Sequence, residues 1–245
     1  MEVVVVKPLK PFLTYFGGKW RVAPYYPEPQ YSTIIEPFAG AAGYSMHYWN
    51  RQIILNDLDP EIASMWQWLI SADPLEVMSI PTKIWSLDEA PDLIPEARLL
   101  LSRWLQSGWP TGTKNKSSKA IKMPSGVWSD AIRLRIASQL KYIRHWQVTS
   151  LSYDELDNQE ATWFIDPPYQ VAGRAYRCSS DKIDFNHLAQ WCQSRYGQVM
   201  VCENEGADWL PFEEFGQFAG LKCGGATTEV LYTQHHKAPS VVSIE

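Results

Sequence analysis

Asp166-Pro167-Pro168-Tyr169 follows the apolar run Trp163-Phe164-Ile165. Two successive prolines hold the backbone extended and remove two N–H donors. The Pro167 carbonyl is then free to accept a hydrogen bond, Asp166 offers a second acceptor beside it, and Tyr169 offers a flat ring. Two acceptors and a ring suit a planar heterocycle with an exocyclic amine. A plain strand-ending turn is the other use of such a segment.

Glu36-Pro37-Phe38-Ala39-Gly40-Ala41-Ala42-Gly43 also follows a short apolar run. Glycines after a strand let the backbone approach a ligand, and a helix start beyond them supplies free N–H groups. Roughly twenty residues further, the spacing at which a sheet of this kind meets a ribose, stands Asn56-Asp57. Asp57 can accept hydrogen bonds from ribose hydroxyls or cap a helix. Near the start, Tyr15-Phe16-Gly17-Gly18-Lys19-Trp20 fits any tight turn.

These segments need a scaffold. Residues 32–36 and 51–56 read as strands and Tyr44 to Asn50 as a helix. Asp59 then caps a helix with Pro60 at its first position. Strand, turn, helix, strand, helix opens a doubly wound α/β fold with a parallel sheet. Residues 147–150, 162–166, 198–202 and 228–233 supply further strands. From Asp73 the pattern changes to proline-punctuated helices at 96–106 and 129–144, separated by a polar loop at 108–126. The predicted organisation is a catalytic domain of residues 1–72 and 147–245 carrying an inserted domain of residues 73–146.

Charge is distributed unevenly. The 245-residue chain has a net charge of −5, which disfavours a generic basic nucleic-acid binder. Yet Arg98 to Trp146 holds ten Lys and Arg against one acid, a net +9 that leaves −14 for the remainder. An acidic protein with one basic block can bind a polyanion locally; a solvated helical face would read the same way. Twelve tryptophans call for extensive aromatic packing or stacking. Most are expected in the core, with Trp109 and Trp128 placed where stacking on a base is worth considering.

Tyr15-Phe-Gly-Gly-Lys19, Glu36-Pro-Phe-Ala-Gly-x-x-Gly43, Asn56-Asp57 and Asp166-Pro-Pro-Tyr169, in that order, resemble the Dam-type DNA adenine-N6 methyltransferases. Phe185-Asn-His-Leu-Ala189 looks like that family's next helix start, and Glu229-Val-Leu-Tyr232 like its final strand. The resemblance implies a Rossmann-like α/β sheet, mostly parallel with an antiparallel C-terminal strand. It also implies S-adenosylmethionine as cofactor, no metal, and methyl transfer to N6 of an adenine flipped out of double-stranded DNA. Asp166, Pro167 and Tyr169 would be catalytic. Tyr15, Gly17, Gly18, Glu36, Pro37, Phe38, Gly40, Gly43, Asp57 and Asp166 would surround the cofactor. Lys19 would contact the cofactor or DNA, or form a structural ion pair.

The chain departs from the family at Ser152 and Tyr153, where relatives commonly carry Asp and Phe against the cofactor adenine; Asp154 is placed to compensate. Lys114, Lys116, Lys119 and Lys122 are expected on DNA phosphates, with Arg133 and Arg135 as candidate base readers. RNA or protein methylation, or non-catalytic DNA binding on the same scaffold, are the alternatives.

No run of eighteen apolar residues exists, Met1 to Val6 lacks the form of a signal peptide, and the four cysteines have no Cys-x-x-Cys pair. The expectation is a monomer with reduced thiols in the cytoplasm of a bacterium or phage-infected host, solitary or paired with a restriction enzyme.

Overall fold

A computed structural model describes residues 7–106, 114–115, 128–219 and 226–238. Seven strands form one sheet: β1 Thr33–Glu36, β2 Gln52–Asn56, β3 Gln147–Thr149, β4 Ala161–Ile165, β5 Gly197–Asn204, β6 Glu213–Ala219 and β7 Ala226–His236. Their order is β3-β2-β1-β4-β5-β7-β6. The first five are parallel, and β7 runs antiparallel to both β5 and β6. This is the expected Rossmann-like, doubly wound sheet with an antiparallel C-terminal strand.

The strands are apolar on both faces because both faces are covered. Side chains alternate along a strand. Ile34, Phe164, Met200 and Cys202 face one core, while Ile35, Trp163, Ile165, Val199 and Val201 face the other. The first core is covered by helices α1 Pro60–Ser71, α2 Pro74–Ser79, α3 Pro95–Gln106 and α4 Asp130–Gln139, the second by α5 Phe185–Ser194. The α1 start is as expected, with Asp59 accepting from the Glu61 N–H and Pro60 opening the helix. Ala97, Leu100, Trp104, Ile132 and Ile136, from α3 and α4, pack in the same core as β1 and β2. The described helices between β2 and β3 are therefore packed onto the sheet.

Two predicted helices are shorter than expected. In place of a helix over Tyr44 to Asn50 there is a 3₁₀ turn at Ser45–Tyr48, preceded by Ala42 at φ 51°. The helix expected to reach Arg144 gives way to a 3₁₀ turn at Leu140–Tyr142. No reading of the sequence located β6, whose Glu-Glu-Phe-Gly-Gln-Phe-Ala has a broken apolar alternation and a register shift between Glu214 and Gly216.

The tryptophans act mainly as buried staples. Trp66, Trp104, Trp128, Trp146 and Trp163 are buried, and each indole N–H donates to a backbone carbonyl: Gly40, Phe12, Pro81, Trp49 and Tyr196 respectively. Such a residue combines a large apolar area with one satisfied donor. Trp128 is thus a core residue, and Trp109 lies outside the described residues. Trp163 is fully buried between β4 and α5, stacking edge-on against Trp191 at 5.6 Å. Trp163→Ala is expected to cost about 3–5 kcal/mol, read as a lower urea midpoint at unchanged slope. A loss under about 1 kcal/mol would show that this core is not close-packed.

Candidate active site

The expected motif residues converge where β1, β2 and β4 end, the crevice in which doubly wound sheets bind ligands. A cavity of about 1070 Å³ lies there. Its wall includes Tyr15, Gly17, Gly18, Lys19, Glu36, Pro37, Phe38, Gly40, Gly43, Asp57, Ser152, Tyr153, Asp166, Pro167 and Tyr169, so one space joins the four expected motifs.

The β1 turn is built for close approach. Gly40 sits at φ 45°, and a side chain there would come within 3.0 Å of the Tyr15 ring. Its N–H donates to Asp57 Oδ2 (2.9 Å) and its carbonyl accepts from Trp66 (2.9 Å). At Gly43 an added Cβ would lie 2.5 Å from the Trp20 nitrogen, so only glycine lets the Lys19-Trp20 backbone rest on the turn. Glu36 is buried and its carboxylate accepts from the Ser45 N–H (2.7 Å), bracing the far side of the turn. Burial pushes the Glu36 carboxyl up to about 8.

Asp57 braces as well as lines. Oδ1 accepts from the Asp59 N–H (2.9 Å) while Oδ2 holds Gly40. Each carboxylate oxygen keeps a further lone pair. Burial pushes this carboxyl up to about 6. The helix cap is Asp59, not Asp57. Across the cavity Phe38 and Tyr153 pack at 5.6 Å, and the Tyr153 hydroxyl pairs with His187 Nδ1 (2.7 Å). Ser152 opens the 3₁₀ turn Tyr153–Glu155 through a reciprocal cap with Glu155. Its hydroxyl holds the Asp154 carboxyl below the usual carboxylate range, and Asp154 shares the cavity wall.

At the other end, Lys19 is buried and its Nζ lies 3.0 Å from Asp166 Oδ1 and 3.9 Å from Glu229 Oε1. It also donates to the Gly17 carbonyl (3.1 Å) and sits 4.8 Å from the centre of the Tyr169 ring. Burial alone would lower its pKa, but the carboxylates of Asp166 and Glu229 outweigh burial and hold it above the ordinary lysine value. Burial raises the Asp166 carboxyl, against the pull of Lys19. The structure shows Lys19 in an ion pair, one of the roles the sequence leaves open to it, and also in the cavity wall.

Several residues of the site were not singled out. Glu229 on β7 lines the cavity and accepts from the Tyr26 hydroxyl (2.7 Å); an acid inside an apolar strand was the available signal. Glu203 is buried at the end of β5 and accepts from the Gln170 N–H (2.7 Å) and the Trp209 indole (3.1 Å), anchoring the backbone just past Tyr169. Tyr176 stacks on Tyr15 at 6.0 Å and donates to the Phe16 carbonyl (3.0 Å).

The basic residues are placed differently. Lys116, Lys119 and Lys122 lie outside the described residues. Lys114 pairs with Asp88 at 2.8 Å, both exposed. Arg133 donates to the Ile80 carbonyl (2.9 Å) and Asp130 (2.8 Å), which occupies the hydrogen-bonding edge a base reader would need. Arg135 donates to the Pro11 carbonyl (2.7 Å) and lines the cavity. Arg144 donates to the carbonyls of Ile70 and Ala72 at the end of α1. Among the described residues no cluster of metal-ligating side chains occurs, and no helix is long and apolar enough to cross a membrane.

No family model matches the chain, and no curated protein matches it. Solved structures do. One, described as "Putative methyltransferase yhhF from Escherichia coli", is 10% identical, with 84% of this chain and 76% of that one covered at a TM-score of 0.36. A conserved hypothetical protein of Streptococcus pyogenes is 13% identical, with 89% and 96% covered at 0.35. "Putative methylase HI0767 from Haemophilus influenzae" is 12% identical, with 88% and 85% covered at 0.34. Likenesses at this level assign no chemistry to the chain.

Glu36 yields a pH test. Its carboxyl is displaced upward in the folded chain, so its contribution to stability is greatest below the ordinary value near 4.5 and declines as pH rises toward about 8. Glu36→Gln keeps an acceptor for Ser45 without the charge. Relative to the parent, the variant should gain more than about 1.4 kcal/mol between pH 5 and pH 8.5, measured by urea unfolding. A constant difference across that range would show that Glu36 does not resist ionisation in the fold.

Proposed function

We propose that the chain is an S-adenosylmethionine-dependent methyltransferase acting on the N6 amine of adenine in double-stranded DNA. The observation that carries this reading is one continuous cavity. It joins the Gly40 turn and Asp57 to the Asp166-Pro167-Pro168-Tyr169 segment and its buried partner Lys19.

The residues fit such a cofactor. Asp57 retains lone pairs for two ribose hydroxyls. Phe38 and Tyr153 offer an aromatic wall for an adenine, with Ser152 and Asp154 as polar edges. A cavity wall rich in carboxylates suits a cationic ligand. When bound, S-adenosylmethionine supplies a methyl group on a sulfonium that leaves as a neutral thioether.

Adenine N6 is a poor nucleophile because its lone pair is delocalised into the ring. Asp166 and the Pro167 carbonyl accept from its two N–H groups, which localises that pair and aims it. Lys19 holds the Asp166 carboxylate in place, and Glu203 anchors the chain just beyond Tyr169. Tyr169 offers its ring to the base, one face being occupied by Lys19. The N6 lone pair forms the new C–N bond as the C–S bond breaks, and one N6 proton then leaves to Asp166 or to water, so direct transfer depends mainly on positioning. Because N6 is paired inside a duplex, the base must leave the stack. Residues 73–146 carry the DNA contacts in this reading: their net charge is positive, and Lys114, Lys116, Lys119 and Lys122 meet phosphates. The chain acts as a monomer.

Unmethylated duplex DNA of broad sequence, incubated with methyl-labelled S-adenosylmethionine and digested to nucleosides, should carry label in N6-methyladenine. Asp166→Ala should lower transfer by at least about 100-fold, the scale of losing one preorganised hydrogen-bonding group, with little change in cofactor affinity. Absence of N6-methyladenine would refute the assignment; comparable turnover by the variant would refute the role of Asp166.

A further inference from the structure

Arg135 is the feature of the cavity that the proposed reaction leaves unused. It projects from α4 and lines the same cavity as Asp166 and Asp57. Pro11, Thr14, Tyr15 and Trp104 share the wall on its side. Its guanidinium lies 5.5 Å from the Trp104 ring centre, and Trp104 is itself fixed by donation to the Phe12 carbonyl (2.9 Å). One Nη donates to the Pro11 carbonyl (2.7 Å). The Nε–H is buried and has no hydrogen-bond partner.

Two other cations of the cavity wall are paired with carboxylates, while Arg21 and Lys182 are exposed to solvent. Lys19 is paired with Asp166 and Glu229, and Arg177 with Asp59 and Glu61. Arg135 pairs with no carboxylate among the described residues. The intervening stretch 107–127 cannot supply one, because it contains four lysines and no Asp or Glu. Burial pulls the Arg135 pKa down, as expected of a cation without a counter-charge. A half-buried guanidinium with an orphan donor is expensive unless something binds it. A planar fork stacked on an aromatic ring is the form that receives a carboxylate or a phosphate.

We propose that Arg135 is an oxyanion-binding residue of the cavity, completed by an oxyanion that the ligands bring. Two ligands of the proposed reaction carry one: the amino-acid carboxylate at the tail of the cofactor, and a backbone phosphate of the DNA. This inference rests on the methyltransferase reading. It also gives α4 a direct part in the ligand site.

The test compares S-adenosylhomocysteine with 5′-methylthioadenosine, which shares the adenosine and thioether but lacks the amino acid. Affinities are measured for the parent chain, Arg135→Gln and Arg135→Lys, alongside duplex DNA at two salt concentrations. If the carboxylate is the occupant, Arg135→Gln weakens S-adenosylhomocysteine by at least about 10-fold and leaves methylthioadenosine within twofold. Arg135→Lys, which keeps the charge without the fork, loses less. If phosphate is the occupant, both nucleoside affinities hold while DNA affinity falls and its salt slope drops by about one. Either result supports the oxyanion site. Should Arg135→Gln fail to fold, Arg135→Lys decides: a selective loss for S-adenosylhomocysteine or DNA supports the site. Unchanged affinity for both ligands in the folded variants overturns it. A parent chain that binds neither nucleoside refutes the methyltransferase reading itself.

Discussion

The buried contact between Lys19 and Asp166 is the constraint around which the site is arranged. Removing an ammonium and a carboxylate from water is costly, and the pair survives only where geometry and further hydrogen bonds compensate. Here the compensation comes from the Gly17 carbonyl, the second carboxylate of Glu229 and the Tyr169 ring. Three distant parts of the chain are joined by it: the N-terminal segment, the end of β4 and the middle of β7. Gly43 permits the approach, since any side chain there would strike the backbone of Lys19 and Trp20. A cation at this point also opposes the upward pull of burial on the Asp166 carboxyl.

The rest of the fold serves that edge of the sheet. Alternation along β1 and β4 divides the apolar residues between two covered faces, leaving the C-terminal ends of the strands as the place for polar groups. Indole N–H groups then satisfy loop carbonyls next to the site, Trp66 at Gly40 and Trp104 at Phe12. The tryptophan excess is thus mostly a means of fixing irregular backbone over a large apolar core. Arginines of the basic segment do related work: Arg133 and Arg144 donate to carbonyls at the ends of α2 and α1. Its positive charge is therefore partly structural.

Local signals in the sequence were enough for the parallel strands and the start of α1. Apolar runs and the Asp59-Pro60 cap depend on near neighbours only. The same held for the motif residues at the ends of β1, β2 and β4, which share one cavity because each follows a strand end, whereas Tyr15 to Lys19 precedes β1 and joins them only in the fold. What was not legible depends on contacts far apart in sequence. Lys19 looked like part of a generic turn, and its ion pair exists only once β4 and β7 are in place. Glu229 and Glu203 each stand in an apolar strand, with partners distant in sequence, and β6 lacks a clear alternation. Arg133 and Arg135 seemed free to read bases because charge alone does not reveal which carbonyls a folded chain will present to them.

The central claim is that Lys19 and Asp166 stabilise each other as an ion pair. It is tested most directly by a double-mutant cycle with Lys19→Met, Asp166→Asn and both together, read by urea unfolding at neutral pH. Each single change should cost about 3–5 kcal/mol by stranding a buried charge. The double variant should be more stable than the sum of the two predicts, with a coupling of at least about 1 kcal/mol. Additivity within about 0.3–0.5 kcal/mol would contradict the account.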